Sequence, residues 1–292
     1  MNRIHPSAII GKRVQLGDGN DIGPGCVIED GAVLGSRNRL WMSVYVGPGT
    51  TIGDENQIHM GAVVGHQPQD LTYAGAPTAT RIGDRNTIRE YVTIHRGTTE
   101  GSATVIGDDN FFMANAHVAH DCRVGSKTVF ANLATLAGHC VIEDEAVLAG
   151  MVVVHQFVRI GRLAMVSGLS AVTKDVPPFM LCAGRRAVIH GLNVVGLRRA
   201  GIPPSVRDEL KQAYKLLYRE GRSVSSALET MEGLAASAEL AALVQFVKSS
   251  KRGICAGLSS ASPSRAETVE PGEGASAAES LLPKKRAQAR VS

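Results

Sequence analysis

Aromatic residues are scarce in this chain, and long apolar runs are missing. Six phenylalanines, five tyrosines and one tryptophan in 292 residues exclude a large aromatic-rich core, so we expect a thin, aliphatic interior. No segment approaches the roughly 18 consecutive apolar residues of a membrane-spanning helix, and the first residues lack the apolar region of a signal peptide. We therefore expect a cytoplasmic protein without a membrane span.

Paired cysteines and strong charge are also lacking. The five cysteines are scattered and form no Cys-x-x-Cys pair, which argues for reduced thiols and against disulfides or a structural zinc site. The net charge of +4 is mildly basic, which suits an acidic or phosphate-bearing partner. It falls far short of what nucleic-acid-binding proteins carry, and we expect no nucleic acid partner.

What the sequence does have is a period of six residues. From Ile4 to Val172, 26 of the 29 positions spaced six apart are Ile, Leu, Val or Phe, the exceptions being Asp70, Ala76 and Glu100. This period fits neither an α-helix nor a simple hairpin meander. It is typical of a parallel β-helix, in which three hexapeptides form one triangular coil of 18 residues.

Glycine and asparagine mark one corner of the coils. In five coils a glycine directly follows the inward residue, and an asparagine stands four residues after that inward residue. In one of these coils, Gly53 and Asn56 follow the inward Ile52. Asparagine tolerates the left-handed backbone that a tight corner requires, so we interpret these residues as structural rather than phosphate-binding. Residues 65–81 and 97–105 interrupt the period and return in phase, which predicts loops that bulge from one face.

Three regions follow from where the period ends. We predict a mainly β domain, the parallel β-helix, over residues 1–178. Residues 179–253 are predicted to hold a connector and a small C-terminal α-helical domain of three short helices ending near Lys251. Pro203-Pro204-Ser205, with Asp208, predicts a capped start for the first of these helices. Residues 254–292 are rich in Ser, Ala, Gly and Pro, which predicts a disordered tail.

Histidines crowd one part of the repeat. Adding one coil to His120 gives Gly138 and a second coil gives Gln156, so these residues should form a column, and His139 should stack beside Asp121. A neutral imidazole suits general base catalysis near neutral pH. A glycine above it would let a substrate carbonyl approach a backbone N–H that stabilises an oxyanion. The pattern favours acyl transfer.

Other interpretations of these histidines stay open on the residues alone. They can be outward polar residues of a repeat surface, or three of them can hold zinc across a subunit interface, as in coil-shaped carbonic anhydrases. Nucleophilic catalysis by serine or cysteine is disfavoured. The sequence has no Gly-x-Ser-x-Gly motif, and nothing identifiable activates Cys122.

Five motifs carry a specific resemblance to a known family: Gln69-Asp70-Leu71, Tyr73-Ala74-Gly75, residues 88–98, residues 115–122 and Val154-His155-Gln156-Phe157. Over about residues 4–253 the chain resembles the acyl-ACP:UDP-N-acetylglucosamine O-acyltransferases. The resemblance implies a homotrimer of left-handed parallel β-helices, each followed by a helical domain. It also implies transfer of a 3-hydroxyacyl chain from acyl carrier protein to UDP-N-acetylglucosamine, the first step of lipid A synthesis. We expect no cofactor and no metal, because a base, an oxyanion donor and positioning are enough for this transfer.

The resemblance also implies roles for individual residues. His120 would deprotonate the sugar 3-hydroxyl, and the Gly138 N–H would be the oxyanion donor. Met165 and Gly168 fall where the family determines acyl-chain length, and the open glycine favours a longer chain. The residues expected to bind substrate are Asp70, His117, Asp121, His139, His155, Gln156, Asn193 and Arg199.

Three positions depart from the family pattern. Thr72 stands where Lys is usual, Val195 where Glu is usual and Ala200 where the second residue of an Arg pair is usual. The acceptor therefore stays open: an N-acyltransferase using a UDP 3-amino sugar, a short-chain acetyltransferase and a non-catalytic paralogue that binds nucleotide sugar or carrier protein are alternatives. The candidates for docking an acidic carrier protein are Arg159, Arg162, Arg185 and Arg186.

Overall fold

Inward-facing aliphatic residues of successive coils lie one above the other in this protein. The computed structural model describes residues 1–234 and 237–258. Ile4 pairs in parallel with Ile22, and Ile22 pairs with Leu40, so each coil hydrogen-bonds to the next in the register that the period predicts. The coils form three parallel sheets, the walls of a left-handed β-helix.

The first sheet has eleven strands and ends in a hairpin. Strands are numbered in chain order. It contains β1 (Arg3–Ile4), β4 (Asp21–Ile22), β7 (Arg39–Leu40), β10 (Gln57–Ile58), β13 (Thr87–Ile88), β16 (Phe111–Phe112), β19 (Val129–Phe130), β22 (Val147–Leu148), β25 (Met165–Val166), β27 (Met180–Ala183) and β28 (Val188–Leu192). Phe112 and Phe130 stack in the interior with ring centroids 4.7 Å apart, and the neighbouring core side chains are aliphatic.

The second and third sheets complete the triangle. The second contains β2 (Ile9–Ile10), β5 (Val27–Ile28), β8 (Tyr45–Val46), β11 (Val63–His66), β14 (Thr93–His95), β17 (His117–Val118), β20 (Thr135–Leu136), β23 (Val153–Val154) and β26 (Ala171–Val172). The third contains β3 (Gln15–Leu16), β6 (Val33–Leu34), β9 (Thr50–Ile52), β12 (Ala79–Ile82), β15 (Ala103–Ile106), β18 (Arg123–Val124), β21 (Val141–Ile142) and β24 (Arg159–Ile160).

A ladder of buried asparagines stabilises the corner that joins the third sheet to the first. The Asn56 N–H donates to Asn38 Oδ1 at 2.8 Å, and Asn56 Oδ1 accepts from the Asn86 N–H at 2.9 Å. Its side-chain amide donates to the Gly83 carbonyl at 2.9 Å. Each asparagine thus satisfies backbone groups of two coils, which confirms that this repeat is structural. The expectation that the asparagines adopt the left-handed backbone is wrong: the residue before each one does, as at Arg37, Glu55 and Arg85.

Replacing one rung of this ladder should destabilise the fold. In Asn56→Ala the buried Asn86 N–H loses its acceptor and the Gly83 carbonyl loses a donor. We expect the free energy of unfolding to fall by about 2 kcal/mol or more. Chemical denaturation checks this against Asn132→Ala, an exposed asparagine that should leave stability nearly unchanged. Equal stability of the two variants would contradict the structural role of the ladder.

Both interruptions of the repeat are loops that leave the register intact. Residues 67–78 connect β11 to β12, and residues 96–102 connect β14 to β15. Across them Ile52 still pairs with Ile82, and Ile82 with Ile106. The coil therefore continues as if the loops were absent, which confirms the predicted return in phase.

The region after the repeat holds more structure than the sequence predicts. Helices α2 (Pro204–Tyr218), α3 (Val224–Glu232) and α4 (Ala238–Lys248) are the three expected helices. The predicted connector also contains the antiparallel hairpin β27–β28 and a short helix, α1 (Val194–Arg199). The predicted cap at Ser205 is wrong: α2 starts at Pro204, and its N-cap residue is Pro203, whose side chain has no oxygen to accept from the first free N–H groups.

The described chain ends against the last coils. Ile254 bridges to Asp175, Gly257 bridges to Ile189, and Cys255 is buried. The folded part thus reaches Leu258, past the boundary predicted at residue 254, and the rest of the predicted tail lies outside the described residues. Among the helices within the described ranges, none has the length and apolar character to cross a bilayer.

Candidate active site

Both loops that interrupt the repeat reach the same histidine and its neighbour. Asp70, in the first loop, places Oδ2 at 3.7 Å from His120 Nε2. Thr98, in the second loop, donates its hydroxyl to Asp121 Oδ2 at 2.7 Å. His120 and Asp121 lie in the corner that follows β17, and the His120 side chain is buried. The insertions therefore enclose one corner of the triangle, on the face where a substrate would bind.

The His120 imidazole is oriented by Asp121. Nδ1 lies 2.9 Å from Asp121 Oδ2. Burial raises the pKa of the Asp121 carboxyl, but hydrogen bonds from Thr98, Ser102 and His120 outweigh this effect, and the pKa lies below its usual value. An ionised carboxylate only accepts hydrogen bonds, so Nδ1 carries the proton and Nε2 presents a lone pair. This is the tautomer that a general base needs.

Gly138 lies directly against this imidazole. The His139 N–H donates to the His120 carbonyl at 3.0 Å, so the two corners stack as one coil spacing predicts. A Cβ placed on Gly138 would lie only 2.5 Å from His120 Nε2, so only glycine lets the ring lie there. Within residues 1–234 and 237–258, no acceptor takes the Gly138 N–H. The imidazole therefore lies against a residue whose backbone donor is unpaired among the described residues.

The next coils extend the cleft with rings and polar groups. His139 crosses His120 edge-on, with centroids 5.1 Å apart, and stacks on Phe157 at 4.8 Å. The Phe157 N–H donates to the Gly138 carbonyl at 3.1 Å, which places His155 and Gln156 one coil above Gly138. The predicted column is therefore continuous over three coils.

His117 lies on the adjoining wall and is held as a neutral group. Its Nδ1 is 2.7 Å from the Thr93 hydroxyl. Burial lowers the pKa of His117, and the neighbouring His120 lowers it further. His95, whose ring centroid is 4.9 Å from that of His117, is also buried, and burial lowers its pKa to about 4. Both imidazoles are therefore uncharged near neutral pH, and of the two only His117 has a side-chain hydrogen bond among the described residues.

The same cluster has the elements of a metal site. His120, Asp121 and His139 each offer a ligand atom, and these atoms lie within 4.8 Å of one another. The zinc alternative requires three histidine ligands from across a subunit interface, whereas this group has two histidines and a carboxylate of one chain. Both histidines lie close to Asp121 Oδ2, and the same arrangement orients a metal-free base.

Comparison with known proteins decides the family. The profile for UDP N-acetylglucosamine O-acyltransferase, domain 2, matches residues 175–255, and that for bacterial transferase hexapeptides (six repeats) matches residues 103–138. The acyl-[acyl-carrier-protein]--UDP-N-acetylglucosamine O-acyltransferase of Paraburkholderia phymatum is 44% identical over 260 residues, which cover 87% of this chain and 99% of the relative. The protein of the same name from Burkholderia thailandensis is 48% identical over 197 residues, 65% of this chain and 75% of the relative. This chain belongs to the UDP-N-acetylglucosamine O-acyltransferase family.

Solved structures of this family have the same architecture. The UDP-N-acetylglucosamine acyltransferase of Francisella novicida superposes with a TM-score of 0.84 at 36% identity, over 87% of this chain and 94% of that one. The UDP-N-acetylglucosamine O-acyltransferase of Moraxella catarrhalis gives a TM-score of 0.84 at 39% identity, over 86% and 99%. The chain is thus an acyltransferase of this family, with the β-helix and C-terminal helical region that these structures share.

Four residues expected from the O-acyltransferase family lie away from the His120 cluster. Met165 lies in β25 on the first sheet, and Gly168 lies in the corner between the first and second sheets. Asn193 caps α1 by accepting from the Gly196 N–H at 3.0 Å, and its amide donates to the Leu163 carbonyl at 2.9 Å. Arg199 is in the last turn of α1. One copy of the chain therefore gathers only part of the predicted set.

The departures from the family pattern have visible consequences. Thr72 donates its N–H and its hydroxyl to Asp70 Oδ1, at 2.8 and 2.7 Å, and these bonds lower the pKa of Asp70. The threonine thus fixes a carboxylate that faces His120. Val195 is exposed on α1, and Ala200 ends that helix, so neither replaces the charge that the family usually has there.

Two residues of the site, Thr98 and Ser102, were not among the residues expected from the sequence. Both hold Asp121 from the second loop. The break in the hexapeptide period is the signal that marks this loop, but nothing in the period says which of its hydroxyls turns inward. Such a contact depends on the path of the loop and not on the repeat.

Proposed function

We propose that this chain transfers a 3-hydroxyacyl group from acyl carrier protein to the 3-hydroxyl of UDP-N-acetylglucosamine, the first step of lipid A biosynthesis. The family supports the reaction class, and the related proteins are named for these substrates. The observation that carries the proposal is the close packing of the His120 imidazole against Gly138, whose N–H has no acceptor among the described residues.

His120 is the general base in this proposal. Nε2 takes the proton of the sugar hydroxyl as that oxygen attacks the thioester carbonyl. The resulting imidazolium is flanked by two carboxylates, Asp121 at Nδ1 and Asp70 at Nε2, whose pKa values are both lowered. Ionised partners on both sides stabilise the charge that develops on the ring.

Gly138 supplies the oxyanion donor. The carbonyl oxygen of the thioester gains negative charge during the attack, and a preorganised N–H stabilises that charge. When the intermediate collapses, the C–S bond breaks and the proton held by His120 passes to the leaving thiolate. Base and donor belong to neighbouring coils, and the ladder hydrogen bonds fix their separation.

We propose a homotrimer because large apolar side chains line one corner of the β-helix. Leu133, Met151 and Leu169 are exposed by 47%, 53% and 62% and occupy the same corner of successive coils. A line of exposed apolar groups marks a contact surface. Gly168 lies in this corner too, so a second copy packed there would carry the expected acyl-length position toward the cleft of its neighbour.

We place the enzyme in the cytoplasm, together with the carrier protein. All five cysteines are free, as expected in a reducing compartment.

Two of the four arginines considered for docking the carrier are neutralised, because Arg159 and Arg162 contact Glu143 and Glu145. Arg185 and Arg186, exposed in the β27–β28 turn, are the better candidates for an acidic partner.

One product analysis tests this function. The purified protein is incubated with a mixture of 3-hydroxyacyl carrier proteins of different chain lengths, with UDP-N-acetylglucosamine and its 3-amino analogue as acceptors. We expect mass spectrometry to find an ester on UDP-N-acetylglucosamine, with one chain length dominant. Amide product alone would favour the N-acyltransferase, and binding without turnover the non-catalytic paralogue. Loss of activity after dialysis against a chelator would contradict the metal-free mechanism.

A further inference from the structure

An arginine from the C-terminal segment reaches the upper end of the candidate site. Arg252 follows α4 and places Nη2 at 3.3 Å from His155 Nδ1. The same guanidinium donates to the Thr173 carbonyl, from Nε at 3.3 Å and from Nη2 at 3.2 Å. His155 lies two coils above His120, a distance of roughly 10 Å at the usual strand spacing. Arg252 was not among the residues that the sequence singled out.

The backbone on both sides of Arg252 is fixed to the last coil. The Ser250 hydroxyl donates to Asp175 Oδ2 at 2.7 Å, and Asp175 is buried. The Asp175 N–H donates to the Gly253 carbonyl at 3.1 Å, and the Cys255 N–H donates to the Asp175 carbonyl at 2.8 Å. Gly253 has a φ of +73°, which allows the sharp turn next to the arginine. The guanidinium is therefore positioned before any ligand arrives.

The described residues provide no carboxylate that would neutralise the charge of Arg252. Among the residues that the structure describes, no carboxylate forms an ion pair with it, whereas Arg159 and Arg162 at the same end of the β-helix pair with Glu143 and Glu145. Its contacts are a carbonyl and an imidazole, which leave the positive charge available. A guanidinium held in this way suits a phosphate, because its fork of N–H groups matches phosphate oxygens.

We propose that Arg252 binds a phosphate group of one substrate at the upper end of the cleft. This inference rests on the proposed function, in which both substrates carry phosphate: the nucleotide sugar a diphosphate, and the carrier protein the phosphodiester of its pantetheine arm. His155 contributes a second hydrogen-bonding group at the same place. Arg252 also supplies a cation to a site in which Thr72 and Ala200 replace two cations of the family pattern.

Steady-state kinetics of Arg252→Ala test the proposal, with Lys251→Ala as the matched control. Lys251 is the neighbouring residue, carries the same charge and is exposed. We expect Arg252→Ala to raise KM for one substrate by about tenfold or more, as for loss of a charged hydrogen bond, with a smaller change in kcat. Lys251→Ala should leave both KM values near those of the wild type.

Ligands without phosphate identify the group that is bound. Calorimetry compares UDP with uridine, and phosphopantetheine with pantetheine, in the wild type and in Arg252→Ala. If Arg252 holds the phosphate, the variant loses affinity for one phosphate-bearing ligand and none for its dephosphorylated form. An equal loss for both forms, or unchanged KM values for both substrates in a folded variant, would overturn the proposal.

Two further readouts keep the test decisive. If Arg252→Ala does not fold, Arg252→Lys replaces it in the test. Lysine retains the positive charge and the aliphatic part of the side chain but lacks the paired N–H donors of the guanidinium. We then expect a severalfold higher KM for the same substrate, and unchanged values would overturn the proposal. Calorimetry needs no turnover, so failure of the wild type to form product would count against the proposed function alone, while the binding comparison still tests Arg252.

Discussion

Replacing His120 with alanine should reduce acyl transfer by about 10²–10⁴-fold, the contribution typical of a positioned general base. The imidazole is buried, is held by Asp121 and packs against Gly138. A general base acts in the transition state rather than in substrate binding, so KM should change much less than kcat. Measurement of kcat and KM with the preferred acyl carrier protein checks both expectations.

The pH profile separates a base from a group that only binds. If a general base drives the transfer, the wild-type rate should fall on acidification, and the residual rate of His120→Ala should lack this fall. Protonation of Asp121 would set in only below the usual range of a carboxyl, because its pKa is lowered. The rate should fall rather than rise on acidification, because a general base works only in its unprotonated form.

A matched control and a conservative variant complete this test. His190 is an exposed histidine on β28, and His190→Ala should keep wild-type activity. Glutamine preserves much of the shape of histidine but cannot take the proton. Near-normal activity of His120→Gln at neutral pH would therefore remove His120 from the role of base, even if the fold and the family stand.

Register is the part of this structure that the sequence predicts best. One inward residue in every six fixes the alignment of neighbouring coils, because any other register would turn aliphatic residues to solvent. That alignment is enough to predict Gly138 beside His120 and Asp121 beside His139, and both pairs are adjacent. The catalytic geometry could be predicted here because it lies within the repeat.

The handedness of the β-helix and the loop contacts could not be derived in this way. A period of six residues is the same for either hand, and only the resemblance to the family implied a left-handed helix. The contacts of Asp70 and Thr98 with the His120 pair depend on loops outside the repeat. Residues far apart in sequence meet there, and no local pattern encodes such a contact.

The end of the β-helix shows the same limit. Asn193 was expected to bind substrate, and in the structure its side chain caps α1 and bonds to the Leu163 carbonyl. The helix it caps has only six residues, and its apolar pattern is too short to identify from sequence. Arg252 acquires its position through Asp175, a partner 77 residues earlier in the chain. A substrate role for Asn193 stays a prediction.

Adding one methyl group at Gly138 should reduce transfer about a hundredfold or more. In Gly138→Ala the new Cβ would lie 2.5 Å from His120 Nε2, far inside normal contact. The imidazole must move away, or the coil must shift, and a displacement of about 1 Å at a reacting group costs on the order of 10²-fold in rate. Moving the imidazole away from Gly138 separates the proposed base from the proposed oxyanion donor, so both functions are impaired together.

Gly233→Ala is the control, because Gly233 follows α3, away from the corners of the β-helix. A Cβ there would meet its nearest atom, the Thr230 carbonyl oxygen, at an ordinary 3.6 Å. Both variants should fold, with Gly138→Ala losing about 1–3 kcal/mol of stability to the steric conflict. Thermal melts and kcat distinguish them. If Gly138→Ala folds and transfers acyl groups as fast as Gly233→Ala, then the imidazole and the amide do not act on one substrate carbonyl, and acyl transfer on this chain must use another donor.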